Sequence, residues 1–180
     1  MRYIAFLRAI NVGGHVVKMD VLCRLFEGLG FRNVETFIAS GNVIFETRSA
    51  DVMSLQKKIE KHLEKSLGYE VRTFIRSESE VAAIAGYKPF PAARITAAAT
   101  FCVGFLEGPM AADGVKALMA LKTEADEFHV SGREVYWLST KRQGESVFSN
   151  ALLETTLKAR STFRGVDTIV KLAAKHGCKP

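Results

Sequence analysis

Apolar residues in this chain come in two rhythms, and the changes between them mark out the elements. Residues 3–7 form an unbroken apolar run, the mark of a strand buried on both faces. From 19 to 29 the period lengthens: Val21, Leu22, Leu25, Phe26 and Leu29 share one helical face, and Gly30 supplies the stop. Two strand-like runs follow at 34–39 and 43–47, joined by Ser40-Gly41-Asn42. Asp51 then caps a helix in which Val52, Leu55, Ile59, Leu63 and Leu67 recur every three or four residues, with Gly68 ending it. Its other face is charged, carrying Lys57, Lys58, Glu60, Lys61, Glu64 and Lys65. A strand is expected at 69–75, and Ser77-Glu78-Ser79-Glu80 reads as a capping box that opens a short helix through Ala85. The order βαββαβ is the split βαβ arrangement of ferredoxin-like folds.

Pro89 and Pro91, within 86–93, break the pattern and predict a linker. Beyond it come a strand at 100–106, a helix at 112–121, and a hairpin of 127–130 with 134–138 that turns at Ser131-Gly132-Arg133. Helices follow at 149–158 and 167–176. This half reads βαββαα, an echo of the first in element order that lacks the closing strand, and no residue signature repeats between the halves. The expected fold is α+β with two packed subdomains: a ferredoxin-like one over 1–88, and a second α+β subdomain with basic C-terminal helices over 94–180.

Composition supports this picture. In 180 residues, 48% hydrophobic content is enough for a sizeable core. The net charge of +6 is uneven, because from Lys141 onward eight basic residues face three acidic ones. Such an excess suits an anionic partner and equally suits plain solubility. Cys23, Cys102 and Cys178 are odd in number and far apart, so neither a disulfide framework nor a cysteine zinc site is indicated, and a reducing cytoplasm is the natural setting. Too few apolar residues precede Arg8 for a signal-peptide core, and no apolar run reaches the length of a membrane span, so no membrane partner is expected.

The candidate chemistry lies in two glycine-bearing turns. Asn11-Val12-Gly13-Gly14-His15 joins a strand to a helix, where backbone N–H groups and the helix dipole favour an anion and Lys18 adds a counter-charge. It matches neither GxxxxGK[ST] nor GxGxxG, so it reads equally as a loop whose glycines serve only its conformation. Ser40-Gly41-Asn42 is first a tight hairpin turn. A nucleophilic Ser40 needs a nearby base, and His15 is the imidazole closest to these loops in sequence. No histidine pair has ligand spacing, so neither a metal nor a cofactor is implied. Phe6 and Phe45 fall where RNA-recognition domains display stacked aromatics, but the basic RNP1 octapeptide is absent and both read as core. Lys141-Arg142 with Arg160, Arg164 and Lys171 makes either a phosphate-tracking surface or a solvated basic face.

Taken in order, Leu7-Arg8-Ala9-Ile10-Asn11-Val12-Gly13-Gly14, Lys18-Met19, Leu29-Gly30-Phe31, Asn33-Val34-Glu35-Thr36 and Ser40-Gly41-Asn42-Val43-Ile44-Phe45 resemble the N-terminal signature of the bacterial domain-of-unknown-function 1697 family. Ser146-Val147-Phe148-Ser149-Asn150, Leu153-Glu154 and Thr168-Ile169-Val170-Lys171-Leu172 resemble its C-terminal pattern. Many members carry Arg-Asn-Trp where this chain has Arg164-Gly165-Val166, so that loop departs from the pattern. The resemblance implies a cytoplasmic α+β protein of two packed subdomains. It implies no activity, cofactor or catalytic residue.

Three readings follow. The leading one is binding of an anionic ligand, a nucleotide or nucleic-acid segment, where the two glycine turns approach the basic C-terminal region. Its contacts would be Arg8, Asn11, Gly13, Gly14, Lys18, Ser40, Asn42, Arg142 and Arg164. The second is a small-molecule enzyme in which Asn11, Ser40 and Asn42 hold an oxyanion, and the third is a purely structural or interaction module. Oligomeric state is not encoded in any pattern found.

Overall fold

The apolar run at 3–7 becomes an inner strand of a four-stranded sheet. The computed structural model describes residues 1–11 and 14–175, so the features expected at Gly13, His176 and Cys178 lie outside the described residues. By contact density the chain divides into one unit of 1–83 with 172–180 and a second of 84–171, against the expected 1–88 and 94–180.

In the first unit, β1 (Arg2–Leu7), α1 (Met19–Glu27), β2 (Arg32–Phe37), β3 (Asn42–Glu46), α2 (Val52–Leu67) and β4 (Thr73–Ser77) follow the predicted order, and α3 (Glu78–Gly86) begins directly after β4. The sheet order is β2-β3-β1-β4 and every neighbouring pair is antiparallel, with Ile4 opposite both Ile44 and Arg76. Tyr3, Ala5, Leu7, Val43, Phe45 and Ile75 turn one face toward Leu22 and Phe26 of α1 and Leu55, Ile59 and Leu63 of α2. Each such side chain, fully buried, contributes roughly 1.5–3 kcal/mol. The alternate residues Ile4, Phe6, Ile44 and Phe74 are buried too, which explains why β1 is apolar without interruption. Asp51 caps α2 through the Ser54 N–H at 3.1 Å, and Gly68 ends it at φ 82°.

Two boundaries differ from expectation. β2 starts two residues early, at Arg32, because left-handed Asn33 (φ 48°) forms a bulge against β3 and ties its side chain to Glu46 at 2.9 Å. β4 starts late, at Thr73, because the preceding segment leaves the sheet. There Tyr69 stacks on His15, and the Arg72 carbonyl accepts the Arg8 N–H at 2.8 Å.

The second unit contains α4 (Ala92–Ala97), β5 (Thr100–Leu106), α5 (Ala112–Met119), β6 (Asp126–Ser131), β7 (Glu134–Ser139), α6 (Asn150–Leu157) and β8 (Ser161–Gly165), with α7 (Val166–Lys175) opening at its end. The β8 strand corrects the βαββαα expectation. Pairing of Val103 with Arg164 and Gly104 with Phe163 closes a sheet of order β6-β7-β5-β8, so this unit repeats the βαββαβ topology of the first. Ser-Thr-Phe-Arg-Gly has little strand signal of its own. Its place is made by Gly104, where a Cβ would lie 2.6 Å from the Phe163 ring, so the ring crosses the bare backbone of its neighbour.

The closing strands also share a signature that element order alone concealed. Arg76 and Arg164 are the penultimate residues of β4 and β8, both are buried, and each donates Nη1 to the carbonyl of the residue before it, at 2.9 and 2.8 Å. In the second core, Trp137 donates Nε1 to Asp126 at 2.9 Å, and the same carboxylate accepts from Ser146 and Thr123. Burial alone would push the Asp126 carboxyl up, but these donors together with Ser139 outweigh it and hold it below the usual range.

Candidate functional site

The two glycine turns meet at the end of the first sheet where β1 finishes. Gly41 is buried at φ 71°, and a Cβ there would stand 3.1 Å from the Cβ of Ile10 and 3.2 Å from that of Leu7. The Leu7 N–H donates to the Gly41 carbonyl at 2.8 Å. Asn11 rivets the bends together: Nδ2 donates to the Ala39 carbonyl at 3.1 Å, and Oδ1 accepts the Val17 N–H at 2.7 Å. Ala9, Asn11 and Ile38 all adopt left-handed backbone, which L residues avoid by roughly 1–2 kcal/mol each. The rivet offsets that strain.

The polar residues expected to meet a ligand here are engaged in building the bends. Asn42 is fully buried and donates to the Phe37 carbonyl at 3.0 Å and to Ser40 Oγ at 2.9 Å, bracing the hairpin. Gly14 sits at φ 87° with nothing near its would-be Cβ, so conformation and not space requires it. Arg8 is half-buried just after β1, and Lys18 is exposed at the N-cap of α1. His15 stacks on Tyr69 with ring centroids 3.8 Å apart. The Tyr69 hydroxyl is buried with no hydrogen-bond partner among the described residues, and burial pushes it above its ordinary value.

Arg142 and Arg164 belong to the second unit and differ from each other. Arg142 is exposed in a turn whose backbone bonds to Glu145 and Ser146. Arg164 is buried in β8, where Nη1 donates to Thr162 Oγ1 at 2.8 Å, and burial lowers it to about 10. The structure thus brings Asn11, Ser40 and Asn42 to one place, and in the other unit leaves Arg142 exposed and Arg164 buried.

A cavity of about 610 Å³ opens at the other end of the same sheet, where β1 begins. One wall is the Leu29-Gly30-Phe31-Arg32 connection with Leu55 and Lys58 of α2, and the other is Glu46-Thr47-Arg48-Ser49 between β3 and α2. Six residues of β1 separate this cavity from the bends, roughly 20 Å. Its lining holds three cations, Arg32, Arg48 and Lys58, and one carboxylate, Glu46. That carboxylate is already neutralised. Asn33 and Arg2 donate to it, the latter at 3.0 Å, and the two hold it below the usual range.

Lys58 donates Nζ to the Leu29 carbonyl at 2.8 Å and lies 5.5 Å from the Phe31 ring centroid, which fixes the wall it belongs to. Among the described residues no carboxylate pairs with Arg32 or Arg48. Sequence reasoning passed over all three cations. Lys58 resembled one more residue of a solvated helix face, and Arg32 and Arg48 were isolated charges next to turns. The available signal was that both flank elements ending at the same end of the sheet.

Two units with one βαββαβ order define an α+β protein of duplicated ferredoxin-like architecture. The chain belongs to the family described as "Protein of unknown function (DUF1697)", whose model matches residues 1–136. Among solved structures it is similar to "conserved bacterial protein SP0830 from Streptococcus pneumoniae", with 22% identity, 97% of each chain covered and a TM-score of 0.77. At that identity the likeness speaks for the fold. No curated protein matches the chain. Among the described residues no helix is long and apolar enough to cross a membrane, and no cluster of side chains has the composition of a metal site.

Proposed function

We propose that the protein binds a small anionic ligand in the cavity where β1 begins, not at the glycine bends. The observation that carries this reading is the lining itself: Arg32, Arg48 and Lys58 line a hollow whose one acidic group is compensated by Arg2 and Asn33. Guanidinium groups suit phosphate and carboxylate because their forked donors match two oxygens at once. Volume supports the same reading, since about 610 Å³ lies within the range of small-molecule sites, roughly 300–1,000 Å³. Cys23 and Cys102 are free thiols, which suits a cytoplasmic setting.

The test is calorimetric titration with inorganic phosphate and with adenosine monophosphate at low salt, on the native chain and on Arg32→Ala and Arg48→Ala. Saturable binding that weakens about tenfold in each variant is expected, the order of about 1.4 kcal/mol for one charge-assisted contact. Binding that is untouched in both variants contradicts the proposal.

A further inference from the structure

Resting on that reading, we infer that the ligand is a phosphomonoester carried on a compact, uncharged body, and not a stretch of nucleic acid. Three features of the cavity lead there. Its volume of about 610 Å³ far exceeds what a bare inorganic anion fills, so an anion alone would leave most of the hollow to water. Its walls differ in chemistry. One carries Leu29, Phe31 and Leu55 beside the cations Arg32 and Lys58, and on the other Arg48 stands among the hydroxyl-bearing Thr47 and Ser49. A phosphate held between Arg32 and Arg48 leaves apolar surface of the first wall beside the rest of the molecule, and a body with one apolar face gains affinity by covering it.

The third feature argues against a polyanion. Residues 1–83, which supply every residue of the lining, contain twelve Lys and Arg against ten Asp and Glu, so the segment that builds the cavity carries little excess charge. Nucleic acid is held by a run of phosphate contacts that each release a counterion, which requires a cationic track beyond a single cluster. The charged face of α2 alternates in sign through Lys57, Lys58, Glu60, Lys61, Glu64 and Lys65 and offers no such track. The cations of the lining, Arg32, Arg48 and Lys58, are enough for one dianion.

The same chemistry occurs in a nucleoside monophosphate and in a sugar phosphate, and the arms of one experiment separate them. Competition is measured by calorimetry on the full chain with inorganic phosphate, adenosine monophosphate, glucose 6-phosphate and a single-stranded deoxy-octanucleotide, at two salt concentrations. One of the two monoesters is expected to bind at least tenfold more tightly than inorganic phosphate, and the octanucleotide no more tightly than the monoesters per site. Leu29→Ser, which trims the apolar wall and keeps the Leu29 carbonyl that holds Lys58, should reduce the monoester affinity of the folded protein severalfold and leave inorganic phosphate unchanged. Equal affinity for inorganic phosphate and both monoesters overturns this inference while sustaining anion binding. Tightest binding by the octanucleotide with a steep salt dependence overturns it in favour of a strand. If none of the four binds, anion binding in this cavity falls as well, and the inference with it.

Discussion

The two ends of the first sheet are built from similar residue types and put them to opposite uses. Where β1 finishes, the amides and hydroxyls of Asn11, Ser40 and Asn42 close onto neighbouring backbone and onto each other, holding bends whose Ala9 and Ile38 sit in left-handed conformations. Where β1 begins, left-handed Asn33 is tied to Glu46, Gly30 and the Asp51 cap shape the turns, and Arg32, Arg48 and Lys58 line an open hollow. Polar loops at a sheet end are therefore not interchangeable. A side chain whose hydrogen bonds are satisfied within its own turn has little capacity left for a ligand, whereas an unpaired guanidinium beside a cavity retains all of its own.

Gly41→Val breaks this contrast most severely. It places a β-branched residue at φ 71° and drives a Cβ to within 3.1 Å of Ile10, so we expect a loss of about 2–4 kcal/mol in urea unfolding, with anion affinity of the folded fraction unchanged. The second unit provides a control on acidification. The Asp126 carboxyl is held below its ordinary value in the folded state, so its contribution is fully present above about pH 4 and is lost as pH falls through the folded value. Fluorescence of Trp137, the one tryptophan and a donor to Asp126, should report that loss below about pH 4. In Asp126→Asn the acid transition should be shallower.

Asn11→Ala removes both bonds of the rivet and a residue tolerant of left-handed backbone, and should cost about 1–2 kcal/mol in stability without changing anion affinity. Arg48→Ala sharpens the contrast from the other side: stability within about 0.5 kcal/mol of the native chain, read by thermal unfolding, with anion affinity down about tenfold. The smallest effect is expected for Glu46→Gln: Arg2 and Asn33 already compensate that carboxylate, so phosphate affinity should rise by no more than about twofold in the same titration.

Much of the fold was legible because its elements carry their own signals. The helical period of α2, its Asp51 cap and Gly68 stop, and the apolar run of β1 each sufficed alone. β8 was hidden because a five-residue segment with serine, arginine and glycine becomes a strand through its partner β5, and the bare backbone of Gly104 that receives Phe163 is visible only once the two are paired. The convergence of the glycine turns could be anticipated from topology, since one follows β1 and the other follows β2 at the same end of the sheet. Their role could not, because hydrogen-bond capacity is decided by geometry: the same Asn42 is a ligand contact or a brace depending on where Nδ2 points. The cavity cations lie far apart in sequence, at 32, 48 and 58, and only the antiparallel pairing of β2 with β3 and the packing of α2 bring them together.

The account stands on where an anion sits on the first unit. Backbone amide shifts recorded while adenosine monophosphate is titrated into the isotope-labelled full chain test this directly. Changes centred on Phe31, Arg32, Thr47, Arg48 and Ser49, with Ala9, Asn11, Ser40 and Gly41 still, are the predicted result. Changes centred on the riveted bends, with the cavity walls still, would contradict it.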